Sequence, residues 1–335
     1  MSLWTPLHAR VHGILKQRRL LSRSDRILIA VSGGQDSLCL AKLLLDLQPK
    51  WSWELAIAHC DHRWRSDSAA NAQYVCELAQ RWHLPCFQRV ATQIVSREAE
   101  ARQWRYGELS DIAQREGFAV VVTGHTQSDR AETLLYNLLR GAGSNGLQAL
   151  AWQRDLAHGV VLVRPLLEIS RTETAQFCQQ QALRVWDDPT NQALNYARNR
   201  IRLELLPYLR NHFNPNVETT LARTAELLRA DVAYLEREAE KLLRRSIDDR
   251  HRPIRLDRRP FQEADLALRR RSLRQFLQQH LAVAPNFEHI EKLTALIEAP
   301  NRTQTDPFPG GAIALVRHPW IEWKSESTAG IEREE

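Results

Sequence analysis

What this chain lacks narrows its role before anything present is read. No apolar stretch approaches the roughly 20 residues needed to span a bilayer, and the start, MSLWTPLHARVHGILKQRRLL, has no unbroken apolar core of signal-peptide length. Both absences argue against a membrane partner and make the cytoplasm the expected compartment. The five cysteines, Cys39, Cys60, Cys76, Cys86 and Cys178, include no C-x-x-C pair. Neither a disulfide framework nor a zinc knuckle is indicated, and all five are expected as buried thiols. No G-x-x-x-x-G-K-[ST] occurs, which removes the lysine that grips the β- and γ-phosphates in the common P-loop.

What is present points to an ordinary globular chain. With 335 residues and 43% hydrophobic content it can bury a large core and form two domains. The net charge of +6 is compatible with a polyanionic partner but does not prove one. Apolar runs rich in β-branched residues alternate with helical patterns: strands at 26–31, 53–59, 87–90, 119–123 and 160–163, and helices at 37–47, 68–82, 99–116, 128–140 and 172–181. That alternation predicts an α/β fold with a doubly wound parallel sheet and ligands at the carboxyl ends of its strands, where Ser32 and His125 fall. Past about Pro207 the texture changes to stretches rich in Leu, Ala, Arg and Glu. The boundaries follow as a first domain over 1–208 and a smaller, mainly helical one over 209–330, with a possible hairpin at 312–316 and 320–323 and a frayed acidic tail at 332–335.

The turn after the first strand is Ser32-Gly33-Gly34-Gln35-Asp36-Ser37. Backbone N–H groups at a helix start, with glycines removing obstructing side chains, make an anion site, and phosphate is the natural guest. Asp36 stands where a common P-loop would offer a lysine. A carboxylate beside phosphates makes sense with a magnesium ion between them. The plainer alternative is a tight strand-to-helix turn with Ser37 as a cap. Gly141-Ala-Gly143-Ser-Asn-Gly146 matches the pattern G-x-G-x-x-G, yet it follows a helical segment where a dinucleotide fingerprint needs a strand, so it reads as a helix stop and loop.

A second cluster lies in VVVTGHTQSDRAETLLYNLLRG, with His125, Asp129 and Glu132 at i, i+4 and i+7. Two acids and an imidazole can grip an amine and help it lose a proton, as an amine-using ligase requires. Thr126-Gln-Ser-Asp129 also fits a capping box, and acids suit a helix start, so a structural role stays open.

The turn resembles that of the PP-loop ATP pyrophosphatases, which cleave ATP between the α- and β-phosphates. A longer series narrows the likeness: Asp61-His62 with Arg65 and Ser68, Glu98-x-x-Ala101-Arg102 with Arg105-Tyr106, Thr123-Gly124-His125 with Asp129 and Ala131-Glu132-Thr133, and Arg140-Gly-Ala-Gly143. It continues with Arg164-Pro165-Leu-Leu167, Trp186-x-Asp188-x-x-Asn191, Tyr196-Ala-Arg198-Asn199-Arg-Ile-Arg202 and Leu206-Pro207. In this order and spacing the stretch from about 26 to 210 resembles the tRNA(Ile)-lysidine synthetase family, which attaches free lysine to an anticodon cytidine. The resemblance implies that Ser32, Gly33, Gly34, Gln35, Asp36 and Ser37 bind ATP, with Asp36 on Mg2+. It further implies that His125, Asp129 and Glu132 face lysine and the reacting centre, and that Arg102, Arg198 and Arg202 stabilise phosphate or the adenylated cytidine; each arginine could equally be a plain ion-pairing residue. The family's commoner form of the second motif is G-H-H-x-D-D-Q-A-E-T, so Thr126, Ser128 and Arg130 are departures that leave Asp129 and Glu132 more of the work. Trp64, in place of a usual leucine, reads as a packing change.

The implied partners are L-lysine and a tRNA(Ile) with a CAU anticodon; whether the chain is a homodimer is left open. The second domain carries Arg250, Arg252, Arg255, Arg258 and Arg259, then Arg269, Arg270, Arg271 and Arg274. On composition this is a solvated helical face diluted by acids, whereas the resemblance makes it a tRNA-gripping surface, with Arg269, Arg270 and Arg271 at its centre. An ammonia-dependent synthetase of the same superfamily should lack the Arg198 to Arg202 element, and a tRNA thiolase would need paired cysteines.

Overall fold

A computed structural model describes residues 4–63, 67–92, 98–186, 193–251 and 253–325. Trp64, Arg65, Asp188, Asn191, Arg252 and the acidic tail lie outside the described residues, and the side chain of Glu98 is likewise not described. The chain divides into two compact units, Met1–Leu228 and Arg229–Glu335.

The first unit is built on six strands: β1 (Arg26–Ala30), β2 (Glu54–Asp61), β3 (Cys86–Val90), β4 (Val120–Thr123), β5 (Gln153–Ala157) and β6 (Val160–Val163). Their order is β3-β2-β1-β4-β6-β5, and every neighbouring pair is parallel except the edge pair β5–β6. The polar sequence QRDLA of β5 has no apolar run to announce it, and an edge strand needs none. The alternation of β1 is readable residue by residue. Ile27 and Ile29 join the core on one face with Leu40, Leu43 and Leu44, while Leu28 joins the other with Leu109 and Ile112. All three strand residues are fully buried, as a central parallel strand covered on both faces requires.

The helices of this unit are α1 (Pro6–Gln17), α2 (Gln35–Trp51), α3 (Ser68–Arg81), α4 (Glu98–Glu116), α5 (Gln127–Leu139), α6 (Ser144–Leu147), α7 (Arg171–Gln180), α8 (Ala197–Arg200) and α9 (Leu206–His212), with a π-helical turn at Ile201–Leu205 between the last two. Helix α1 was not evident from apolar periodicity because one of its buried contacts is polar: His8 is fully buried and pairs with Asp46 of α2 at 3.0 Å. Gly141 follows α5 and adopts φ +73°, which fits the helix-stop reading of that glycine-rich stretch.

One expectation about the cysteines fails. Cys76 in α3 and Cys86 at the start of β3 form a disulfide, their Cα atoms 5.7 Å apart. Only ten residues separate them, and the chain returns from helix to adjacent strand within that span, so two thiols that looked unrelated by motif meet in space. Cys39 and Cys178 are free and buried, and Cys60 is free and half-buried.

Helix α10 (Val217–Ser246) begins in the first unit and ends in the second. Its first turns explain two of the family-atypical residues. Ser128 donates to Glu218, and Arg130, only 1% exposed, donates to Glu226. Glu226 also receives Arg18 at 2.7 Å and the Trp152 indole at 3.0 Å. The second unit carries α11 (Arg259–Gln262), α12 (Leu266–His280), α13 (Phe287–Ala295) and four antiparallel strands, β7 (Ile247–Asp248), β8 (Ile254–Asp257), β9 (Ile313–Arg317) and β10 (Trp320–Lys324), in the order β7-β8-β10-β9. The expected hairpin is β9–β10, and β8 and β7 extend it into a small sheet. Its core joins Leu256, Phe261, Leu273, Phe276 and Trp323, with the last two rings edge-to-face at 5.4 Å. Among the described residues no helix is long and apolar enough to cross a membrane.

Removing Glu226 strands the buried Arg130 guanidinium without its carboxylate. Glu226→Ala is therefore expected to cost about 3 kcal/mol of unfolding free energy, read by urea denaturation. Burial pushes the Glu226 carboxyl up, but hydrogen bonds from Arg130, Arg18 and Trp152 outweigh it and hold the group below its usual value. Its contribution is thus present above the unfolded-state pKa and lost as pH falls through the folded one, so the difference between wild type and variant should shrink below about pH 4.

Candidate functional site

The turn after β1 is held open by its own backbone and by α3. Gly33 adopts φ +89°, and a Cβ there would lie 2.2 Å from Asn71 Oδ1. Asn71 Nδ2 meanwhile donates to the Ser32 carbonyl at 2.9 Å. Glycine is needed here both for its left-handed backbone and for the space. Ser37 Oγ donates to the Gly34 carbonyl at 2.9 Å and accepts from Ser32 N at 3.1 Å. Ser37 is therefore not the cap of α2: it lies inside the helix, and its hydroxyl closes the turn by joining the Gly34 carbonyl to the Ser32 amide. Gly34 is the N-cap residue of α2 and makes no side-chain cap, so the helix start keeps backbone N–H groups toward the turn.

Strands β1 and β4 are neighbours, so their following turns meet. A Cβ on Gly124 would lie 2.7 Å from the Asp36 carbonyl oxygen and 2.9 Å from Ser37 N. This contact sets Asp36 beside the start of α5, where Asp129 and Glu132 lie. Asp129 divides its two oxygens between the two roles left open by its spacing. Its Oδ2 accepts from Thr126 N at 2.7 Å and Thr126 Oγ1 at 2.9 Å as a capping box, while its Oδ1 accepts from Arg171 at 2.6 Å. Glu132, 3% exposed, accepts from Arg171 Nη1 at 2.8 Å and from Arg202 Nε and Nη2 at 2.8 and 2.9 Å. Asp36 accepts from Arg171 Nε at 3.3 Å and from Thr174 Oγ1 at 2.5 Å.

Arg171 is the residue that sequence reasoning missed. Its signal was present: Ser170 and Glu173 form a capping box that places Arg171 at the first position of α7. A cation there opposes the helix dipole and needs carboxylates nearby to offset it. Gln35 Nε2 ties the two elements together, donating to the Arg171 carbonyl at 2.9 Å and to Thr174 Oγ1 at 3.1 Å.

The electrostatics follow from this crowding. Burial, and then the neighbouring Asp129 charge, raise the Asp36 carboxyl against the pull of Arg171 and Thr174. Asp129 is also pushed up by burial, but Arg171, His125, the Thr126 amide and Arg202 overcome it and hold Asp129 well below the carboxylate range. Burial drives His125 far below its usual value; Arg164, Arg102 and Arg105 add to the effect and Asp129 opposes it, leaving the ring neutral near pH 7. Thr123 Oγ1 lies 2.9 Å from His125 Nδ1 and orients the ring.

Gln35, Asp36, Thr123, His125, Asp129, Glu132 and Arg171 line one cavity of about 630 Å³, which also takes in Ser32, Arg102, Arg105, Arg198 and Trp186. Its size suits a nucleotide-sized ligand. Arg102 stacks over Tyr106 at 5.1 Å and Arg198 over Tyr136 at 5.5 Å. Arg202 sits on the π-helical turn, in the ion pair with Glu132.

In the second unit, among the described residues of the arginine run, Arg258 alone is buried, Arg250 and Arg259 are exposed, and the rest are half-buried and mostly ion-paired. Arg258, 5% exposed, donates to the Ile297 carbonyl at 2.8 and 2.6 Å and acts as a structural clamp rather than a surface cation. Arg269 pairs with Glu298 at 3.1 Å, Arg270 with Glu291 at 2.6 Å, and Arg271 and Arg274 both with Glu236 at 2.7 and 2.5 Å.

Comparison with known proteins places these features. A PP-loop domain profile matches residues 5–209, and a TilS substrate binding domain profile matches residues 256–318. A Nostoc sp. protein named tRNA(Ile)-lysidine synthase is 59% identical over 331 residues, covering 95% of this chain and 97% of its own length. The chain belongs to the tRNA(Ile)-lysidine synthase family. A Synechocystis sp. protein of the same name is 52% identical, covering 96% and 98%. Among solved structures, the U34-tRNA thiolase NcsA from Methanococcus maripaludis aligns with a TM-score of 0.55 at 15% identity over 67% of this chain and 78% of that one, a likeness of fold. As a family member the chain is an enzyme whose PP-loop domain binds ATP.

The Gly124 contact yields a direct test. The three atoms nearest an added methyl all belong to the Asp36–Ser37 backbone, so the turn itself must shift. Gly124→Ala is expected to cost about 1–3 kcal/mol by urea denaturation and to weaken ATP binding at least tenfold by calorimetry.

Proposed function

We propose that this chain ligates free L-lysine to C2 of the wobble cytidine in the CAU anticodon of tRNA(Ile), converting ATP to AMP and pyrophosphate and leaving lysidine. The observation that carries this reading is the convergence, in one cavity, of the Ser32–Ser37 turn with Asp36 and the Asp129–Glu132 pair with His125. A phosphate cradle alone would serve any nucleotide enzyme. Two carboxylates beside a neutral imidazole add a place for an ammonium and an acceptor for its proton.

In the first step the cytosine C2 carbonyl oxygen attacks the α-phosphate of ATP and pyrophosphate leaves. The backbone N–H groups at the start of α2 hold the departing diphosphate, and the arginines lining the cavity, Arg102 and Arg198 among them, offset charge on the adenylated cytidine. In the second step the lysine ε-amine attacks C2 and AMP leaves. Asp129 and Glu132 bind the incoming ammonium beside His125, which Thr123 holds, and this group of acceptors takes up the proton that must leave before the nitrogen can attack. Asp36 would hold magnesium: its carboxyl, raised by burial and by the neighbouring Asp129 charge, is an oxygen donor suited to a hard cation, which would supply positive charge to offset the phosphates. The cytidine must leave its stack, which an anticodon loop permits at low cost.

Purified chain should form AMP and pyrophosphate from ATP only when both lysine and tRNA(Ile) are supplied, and Asp36→Ala should lower that rate at least a hundredfold. Release of ADP and orthophosphate, or turnover without lysine and tRNA, would refute the reading.

The second unit supplies the tRNA grip in this proposal, with Arg269, Arg270 and Arg271 the leading candidates. Reversing Arg271 would set a carboxylate against Glu236 and confound binding with folding. Arg270 is the fairer probe, being the most exposed of the three at 38% of its side chain. Arg270→Ala should weaken tRNA binding severalfold and lower the slope of log affinity against log salt by about 1. An unchanged slope in a salt titration would remove it from the interface.

A further inference from the structure

The three carboxylates in the cavity are bridged by one guanidinium. Each nitrogen of the Arg171 fork faces a different one: Nη2 meets Asp129 at 2.6 Å, Nη1 meets Glu132 at 2.8 Å and Nε meets Asp36 at 3.3 Å. The remaining carboxylate oxygens are also occupied, by Thr126, Thr174 and Arg202. The cluster of Asp36, Asp129, Glu132, Arg171 and Arg202 therefore holds three negative and two positive charges, with every carboxylate oxygen already bonded. An ammonium arriving here would meet two cations and no unbonded carboxylate oxygen.

Arg171 stands on the border between two subsites. Through Asp36 it reaches the phosphate turn, and through Asp129 and Glu132 it reaches the amine site. Its backbone is pinned, since Gln35 bonds its carbonyl and Ser170 caps its helix. Its side chain, a quarter exposed to the cavity, is long enough to turn without moving that backbone. A guanidinium fork fits phosphate oxygens as well as it fits carboxylates, and a triphosphate in the turn would offer it a more highly charged partner.

We propose that Arg171 is an exchangeable cation that closes the amine site until nucleotide binds. In the ligand-free enzyme it neutralises Asp129 and Glu132. When the triphosphate occupies the turn, Arg171 swings onto phosphate oxygens, which frees Asp129 Oδ1 and takes one of the two donors off Glu132 Oε1, opening the pair to the lysine ammonium. Nucleotide binding thus creates the lysine site, and by linkage lysine tightens nucleotide binding by the same factor. Arg171 is a positioning residue in this scheme, and the proposal rests on the lysine-ligating reading above.

The test measures lysine binding to the full chain by equilibrium dialysis with labelled lysine, without tRNA, in the presence and absence of magnesium and α,β-methylene ATP, which cannot release pyrophosphate. In wild type the nucleotide should lower the lysine Kd at least tenfold. In Arg171→Gln, lysine should bind without nucleotide about as tightly as it binds wild type with nucleotide, and the nucleotide effect should fall below twofold. Arg171→Lys, which keeps one positive charge in place should the Gln variant fail to fold, should retain the nucleotide effect to within threefold. Equal lysine Kd values for wild type with and without nucleotide would overturn the proposal. So would a folded Gln variant that binds lysine no better than wild type in the absence of nucleotide, or loss of the nucleotide effect in the Lys variant. If turnover still requires lysine and tRNA while any of these negative results appears, only the exchange is wrong. If lysine binds in no state and turnover ignores it, the functional reading falls as well.

Discussion

The approach of Gly124 to the Asp36–Ser37 backbone is the constraint on which the rest of the site depends. Two parallel strands that are neighbours in the sheet must send their chains out at the same edge, and the turns that follow them compete for the same space. Here one of them yields its side chain altogether. With no Cβ at 124, the Ser32–Ser37 turn and the helix start that carries Asp129 and Glu132 come close enough to share a guanidinium. A fold in which β1 and β4 were separated by another strand could keep both motifs and still have no site.

That proximity carries an electrostatic cost. Three carboxylates within reach of one side chain repel one another, and burial makes each harder to ionise. The site answers with directed donors rather than with solvent: two arginines, the Thr126 amide and hydroxyl, and Thr174. The opposite displacements of Asp36 and Asp129 express the division, since Arg171 meets Asp129 at 2.6 Å but Asp36 only at 3.3 Å, and Arg202 and the Thr126 amide act on Asp129 as well. The carboxylate whose charge is less well satisfied by protein groups is the one on the phosphate turn. That is where a charge-balancing ion arriving with nucleotide would be of most use.

How much of this could be read from residues alone differs by level. Parallel strands announce themselves because Ile27, Leu28 and Ile29 must be apolar on both faces, and the phosphate turn is local enough for its glycines and Asp36 to be read directly. The dual role of Asp129 could be posed from the sequence but not decided, because the spacing of a capping box and of a ligand pair is the same; only the separate destinations of its two oxygens show that both hold. Arg171 lies 135 residues from Asp36 along the chain, and no short-range pattern joins them. The disulfide was missed for the same kind of reason, since a helix-to-strand return, not a motif, brings Cys76 to Cys86. The polar edge strand β5 lacks the apolar alternation that would announce it, and of the sheet in the second unit only the hairpin β9–β10 was legible.

The family-atypical residues of α5 follow from a division of labour along one helix. Asp129 and Glu132 face the cavity, while Gln127, Ser128 and Arg130 reach Thr219, Glu218 and Glu226 at the start of α10. Thr126 serves the capping box that fixes Asp129. The positions that looked like losses of catalytic groups are therefore spent on anchoring the helix that carries the remaining ones. If Asp129 and Glu132 bind an ammonium as proposed, they gain more from a rigid helix than from an additional titratable neighbour, because a small misplacement at a reacting centre costs more rate than a weakly placed extra group returns. Arg130, buried and held by Glu226 against Trp152, gives α5 that rigidity without adding another charge to the cavity.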